Sequence, residues 1–207
     1  MAATSAAAAA NHPEPVWRRV PELADLVEIF DPGVQVCAWQ RDIDPAISTY
    51  LAGLPASGAW QAIETLKPGD MPRFGRLPEA TGRAALIEDL ELLRDIVREL
   101  LGCDVVGLRV ARIDRAMCPG WHVDHTGIRL VCTYQGPGTE WLDAQDVDRR
   151  ALPSIKAAFV QATPGEIVLL KGSLWQDNEA FGAVHRSPAP SAVSLRTLVT
   201  LDPLWDA

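Results

Sequence analysis

The sequence predicts an α+β chain with a mainly β core, a jelly roll supported on its outside by N-terminal helices. Three observations predict it. Apolar residues from Leu86 to Leu100 recur at helical spacing, the signature of a helix that buries one face. After Gly102 the period changes, and six short, β-branched, turn-bounded segments crowd into about a hundred residues. Strands at that density, with no helix pattern between most of them, favour an antiparallel sandwich or barrel over βαβ units.

The alanine-rich start, residues 1–15, reads as a flexible tail, because it lacks the basic n-region and long aliphatic h-region of an export signal. A secretory or transit signal is the alternative. Residues 16–102 read as a helical support region and residues 103–207 as the jelly-roll core carrying the site, together one compact domain. In the support region, Leu23, Leu26, Val27 and Phe30 share a helical face that Asp31-Pro32-Gly33 terminates. Val34 to Trp39 alternates and reads as a strand. Asp44 and Pro45 form an N-cap and first-turn pair, opening a helix to about Ala52. Pro68 to Pro78 reads as a loop and a candidate lid. Thr81 can cap the main helix, whose stripe is Leu86, Leu90, Leu93, Val97 and Leu100 and whose stop is Gly102. The strand segments are Val105 to Ile113, Ile128 to Tyr134, Thr139 to Leu142, Glu166 to Leu170, Ala183 to Arg186 and Ser194 to Leu201. Gln135 to Gly138 reads as a hairpin connection, and Asp143 to Ala158 as a polar insert with a short helix.

Composition narrows the partners. Nineteen Lys and Arg against 27 Asp and Glu give a net charge of −8, with no basic block to track phosphates, which excludes nucleic acid. No stretch is apolar for long enough to span a membrane, so no membrane partner is expected. Cys37, Cys103, Cys118 and Cys132 are dispersed without a Cys-x-x-Cys pair, which fits a reducing, cytoplasmic setting.

The chemistry concentrates in His122-Val123-Asp124 and in His185, on a later strand segment. Residues i and i+2 of a strand point to one side, so His122 and Asp124 can aim into a barrel while His185 closes the face. Two imidazoles and a carboxylate are the facial set that holds Fe(II) with open positions, and Zn(II) binds the same donors readily. Arg196, about one strand beyond His185, supplies the planar fork that matches a carboxylate.

That arrangement resembles the iron- and 2-oxoglutarate-dependent dioxygenases, over roughly Val105 to Leu201. The resemblance implies a cupin- or dioxygenase-like double-stranded β-helix. Catalysis would fall to an Fe(II) centre on His122, Asp124 and His185, and Arg196 would anchor 2-oxoglutarate. A closer resemblance, over most of the chain, is to an uncharacterised bacterial family, domain of unknown function 1826. It is carried by Cys118-Pro119-Gly120-Trp121-His122-Val123-Asp124, by residues 133–142, by Leu170-Lys171-Gly172, by His185-Arg186-Ser187-Pro188 and by residues 196–202. Members of that family often lie near genes of zinc homeostasis, which implies a metal-related role but no reaction. His125 departs from the lysine commoner there.

Further candidates flank the triad. Arg129 is the best second basic group for cofactor or acidic-substrate binding, and Tyr134 could donate a hydrogen bond to a bound carboxylate. His125 should face solvent, Cys118 is a soft ligand or an inert thiol, and Trp121, Trp141 and Trp175 are pocket walls or core aromatics. The resulting expectation is an oxidoreductase, a 2-oxoglutarate-dependent dioxygenase-like enzyme acting on a small molecule. The alternatives are a non-enzymatic Zn(II)-binding protein of metal homeostasis, and a cupin-type enzyme without 2-oxoglutarate.

Overall fold

The computed structural model describes residues 13–55, 59–75, 77–152, 154–188 and 195–205; most of the alanine-rich start, and Ser194, lie outside them. Its strands are β1 (Val16–Val20), β2 (Val34–Trp39), β3 (Trp60–Leu66), β4 (Val105–Ile113), β5 (Ile128–Gln135), β6 (Glu140–Leu142), β7 (Phe159–Gln161), β8 (Ile167–Lys171), β9 (His185–Arg186) and β10 (Arg196–Leu204). The helices are α1 (Pro45–Gly53) and α2 (Arg83–Leu101), with 3₁₀ segments at Leu23–Phe30 and Arg149–Ala151.

Two sheets form the jelly roll. The larger has the order β1-β2-β8-β5-β10-β4-β3 and the smaller β7-β6-β9. Only β1 with β2 is parallel among the described pairings. Strand alternation divides the large sheet between two cores. Ile128, Leu130, Cys132 and Tyr134 of β5 face the helices, where Leu86, Leu90, Leu93 and Val97 of α2 meet them. Val131, Val168, Leu170 and Leu198 face the small sheet and pack around Trp141. With both faces covered, these strands are apolar on both sides along most of their length.

The expected helices lie outside the sheet, with local differences. At Leu23–Phe30 the chain forms a 3₁₀ helix, whose three-residue turn buries Leu26 and Ile29 and leaves Val27 exposed. Asp44 caps α1 as expected, its side chain accepting from the Ala46 N–H at 2.8 Å. Thr81 does not cap α2. Gly82 does, at φ 91°, and a Cβ there would lie 2.4 Å from the Ala46 carbonyl oxygen, so the close approach of α1 requires glycine. Gly102 ends the helix in the left-handed conformation, its N–H bonding the Arg98 carbonyl.

The support region also contributes β1, β2 and β3 to the large sheet, where only β2 was expected. β1 and β3 are its edges, and their sequences hide the pattern: β1 carries Arg18 and Arg19, and β3 exposes Ile63 while turning Glu64 inward. The Glu64 carboxylate accepts from the Arg73 and Phe74 N–H groups, folding the 68–78 loop onto the helix-side core through buried Phe74 and Leu77. That loop is therefore no lid over the space between the sheets. Gln135 to Gly138 crosses between sheets rather than closing a hairpin, since β5 and β6 belong to different ones. Phe159–Gln161, at the end of the polar insert, adds the unexpected β7, and the helix of the insert's described residues is the 3₁₀ turn Arg149–Ala151.

Candidate metal centre

The triad is assembled by pairing between two irregular segments. His122 and His185 form an isolated antiparallel bridge, each N–H donating to the other's carbonyl at 3.0 Å, which stacks the rings with centroids 4.4 Å apart. Asp124, two residues on, returns to the same side because its loop is stitched to the exit of β8: the Ser173 N–H donates to the Asp124 carbonyl and the Leu174 N–H to Thr126. One donor atom from each of His122, Asp124 and His185 lies within 4.8 Å of the others.

Each imidazole is oriented from behind. Nδ1 of His122 lies 2.9 Å from the Gly120 carbonyl and Nδ1 of His185 lies 3.0 Å from the Ala183 carbonyl. A carbonyl only accepts, so Nδ1 carries the proton in both rings and Nε2 is the bare donor. Both Nε2 atoms face Asp124, at 3.5 Å and 3.7 Å from its oxygens. Outward orientation of metal-ligating imidazoles by backbone carbonyls is the usual means of holding the ligating tautomer.

Arg129 holds the carboxylate. It donates to Asp124 Oδ2 at 2.6 Å and clasps Asp202 with Nε and Nη2 at 2.7 and 3.0 Å. Burial alone would raise the Asp124 carboxyl, but the hydrogen bond from a protonated His122, the charge that His185 carries once protonated and the charge of Arg129 outweigh it and hold it well below the usual carboxylate range. The hydrogen bond that a protonated Nε2 would donate to Asp124 raises His122 above its ordinary value, whereas burial pushes His185 down to about 4. At neutral pH the site therefore offers an ionised carboxylate and a neutral His185.

A cavity of about 170 Å³ opens beside the triad, lined among others by Arg109, Arg129, Arg186 and Arg196. Arg196 is 4% exposed. Its Nη2 donates to Thr139 Oγ1 at 2.7 Å and Thr133 Oγ1 at 3.2 Å, while buried Nε and Nη1 have no partner among the described residues. Burial pushes its pKa down to about 10, so it is a cation at neutral pH. Gly136, at φ 80°, seats the crossing loop against it; a Cβ there would lie 2.8 Å from the Leu195 carbonyl oxygen and 3.1 Å from Arg196 Cα.

His122, Asp124, His185, Arg129 and Arg196 are thus brought together at one cavity. Tyr134 is not: it faces the helix-side core, where its hydroxyl donates to Asp89, itself clasped by Arg41. The physical reason is strand parity, since Tyr134 stands next to the site-facing Thr133. His125 is exposed, with Nδ1 3.1 Å from Ser173 Oγ. Cys118 lies exposed on the cavity rim. The three tryptophans are not among the cavity's lining residues: Trp121 packs under Arg186 at 4.1 Å, Trp141 fills the space between the sheets, and Trp175 lies against Phe30. Arg109, Thr133, Thr139 and Asp202 escaped the sequence reading; an arginine interrupting the apolar Val105–Ile113 strand was the legible signal for the first.

Comparison with known proteins agrees with this architecture. A family model described as "Protein of unknown function (DUF1826)" matches residues 21–202. No curated protein matches the chain in sequence. Among solved structures, dioxygenase for auxin oxidation 1 from Arabidopsis thaliana, in a binary complex with 2-oxoglutarate, is similar at TM-score 0.54 and 10% identity, covering 93% of each chain. JOX2, in complex with 2OG, Fe and JA, is similar at TM-score 0.51 and 14% identity, covering 93% of this chain and 77% of that one. At such identities the likeness is one of fold.

Proposed function

Because the chain belongs to the family described as protein of unknown function (DUF1826), whose name assigns no reaction, we propose from the site itself that it is a mononuclear Fe(II), 2-oxoglutarate-dependent dioxygenase acting on a small molecule. The observation that carries this reading is Arg196. A buried guanidinium with two donors unpartnered among the described residues is costly unless an anion completes it. A carboxylate answers that need with two parallel hydrogen bonds.

The triad fits the metal. His122 and His185 would ligate through Nε2, Asp124 through its carboxylate, and three positions would stay open for cosubstrate and dioxygen. Fe(II) with 2-oxoglutarate would supply activation of dioxygen, coupling oxidative decarboxylation of the cosubstrate to oxidation of the substrate. This chain's residues orient and shield. Arg196 binds the distal carboxylate of 2-oxoglutarate, and Thr133 and Thr139 keep its fork in one rotamer. Arg129 holds Asp124 ionised and turned toward the imidazoles. The apolar walls at Val131 and Leu198 exclude water from the reacting centre.

Anaerobic addition of Fe(II) and then 2-oxoglutarate tests the reading. A weak visible charge-transfer band that vanishes in Arg196→Ala is expected, with succinate release coupled to oxygen uptake once a substrate is found. Tight zinc with no band at any 2-oxoglutarate concentration would replace this reading with a metal-binding protein that needs no anchor. Oxygen uptake without succinate would favour a cupin-type enzyme.

A further inference from the structure

The cavity holds a second cation whose chemistry the cosubstrate does not absorb. Its four arginines divide by partner. Arg186 is paired with Glu140 at 2.6 Å and stacked on Trp121. Arg129 is paired with Asp124 and Asp202. Arg196 is the proposed cosubstrate anchor. Arg109 remains: among the described residues no carboxylate lies within ion-pair distance of it, and its one side-chain hydrogen bond runs from Nε to the neutral Thr200 hydroxyl at 3.1 Å.

Register places Arg109 apart from the anchor. It stands on β4 directly opposite Thr200 of β10, four residues along the strand from Arg196, a separation of roughly 13 Å at about 3.3 Å per residue. Both positions face the cavity, with Leu198 between them. Burial weakens its hold on its proton, and the neighbouring Arg129 charge adds to that effect. A half-buried guanidinium so placed, with Nη1 and Nη2 making no bond to any described residue, is a fork waiting for an anion.

Resting on the dioxygenase reading for its catalytic meaning, we propose that Arg109 is the substrate-recognising residue, and that the substrate is a compact organic acid whose carboxylate docks on its terminal nitrogens. The cavity, about 170 Å³, is smaller than the roughly 300–1,000 Å³ that drug-sized ligands occupy, which selects for a compact molecule. Arg109 and Arg196 then hold two different carboxylates at successive stations of β10, one from substrate and one from cosubstrate.

The test uses the full chain loaded with Zn(II), which permits binding without turnover. Thermal-shift titrations are run with short-chain monocarboxylic acids, with the primary amides of the same acids, with inorganic phosphate and, separately, with 2-oxoglutarate. Arg196→Met serves as background, so that acids cannot report on the cosubstrate anchor. In that background the acids are expected to raise the melting midpoint and the amides to leave it unchanged. Adding Arg109→Gln should weaken the acids' apparent affinity by about tenfold to a hundredfold, the range of a charge-assisted hydrogen bond. Arg109→Lys, which keeps the charge without the fork, should fall between and serves where the glutamine variant fails to fold.

The proposal is overturned if no acid shifts the midpoint, if amides act as well as acids, if only phosphate acts, or if affinity survives Arg109→Gln. The 2-oxoglutarate titration reports on the other reading alone. Its failure in the wild-type protein, with Arg109-dependent acid binding intact, would remove the dioxygenase and keep an acid-binding site.

Discussion

Replacing Arg196 by Met should make the metal-free protein slightly more stable while nearly abolishing cosubstrate binding. The drop of its pKa from the ordinary 12.5 to about 10 corresponds to about 3 kcal/mol by which burial disfavours the cation in the folded state. Methionine removes that cost but strands the hydroxyls of Thr133 and Thr139, at about 1 kcal/mol each. The balance is a gain of about 1 kcal/mol, read from urea melts of the metal-free variant against wild type. Against this, two charge-assisted hydrogen bonds to a carboxylate, at about 1.5–3 kcal/mol each, amount to two to four decades of affinity for 2-oxoglutarate. Anaerobic titration of the Fe(II)-loaded proteins, followed through the charge-transfer band, measures that loss. A variant destabilised by about 2 kcal/mol or more, with cosubstrate affinity intact, would show that Arg196 is a structural cation and that the argument from its orphaned donors is wrong.

Asp124→Asn should reduce bound metal from one equivalent toward none, since it removes the anionic ligand and presents an amide to Arg129; elemental analysis after dialysis checks this. Metal affinity should be greatest above the raised pKa of His122 and fall about tenfold per pH unit below it, because one proton competes for Nε2; chelator competition at stepped pH measures the slope. His185, neutral until about 4, adds a second proton only near that value. In the metal-free protein it contributes stability that is present above the ordinary 6.5 and lost as pH falls through about 4, so His185→Asn should flatten acid unfolding over that interval. Asp89→Asn should cost about 3–5 kcal/mol, because it leaves buried Arg41 without its counter-ion, yet metal stoichiometry should be unchanged, since the network lies on the far face of the sheet.

The β half of the fold was legible because each interior strand carries its own signal. β4, β5, β8 and β10 are rich in β-branched and other apolar residues, and a strand with most of both faces buried needs little else to be recognised. The edge strands β1 and β3 were not legible. Edges are half-solvated and held by pairing rather than burial, so Arg18, Arg19 and Glu64 are tolerated there and erase the apolar pattern. The 3₁₀ segment at Leu23–Phe30 carried the residue types of an α-helix, and its tighter winding follows from docking Leu26 and Ile29 on the sheet.

At the site, residue types and the i, i+2 rule were enough to name His122, Asp124, His185 and Arg196 as candidates, because donor chemistry is local and spelled out in side chains. Which way each neighbour faces is not local. Tyr134 and Thr133 are adjacent in the chain and lie on opposite sides of one sheet, and only the packing of α2 against that sheet decides which of them meets the cavity. The partners of the arginines were equally hidden. Arg129 finds Asp202, Arg186 finds Glu140, and Arg109 finds no carboxylate among the described residues, each through pairings between strands distant in sequence. Sequence therefore determined the fold class and a candidate ligand set, and tertiary structure decided which positive charges are already neutralised among the described residues and which are not, because charge pairing depends on distances that chain order does not encode.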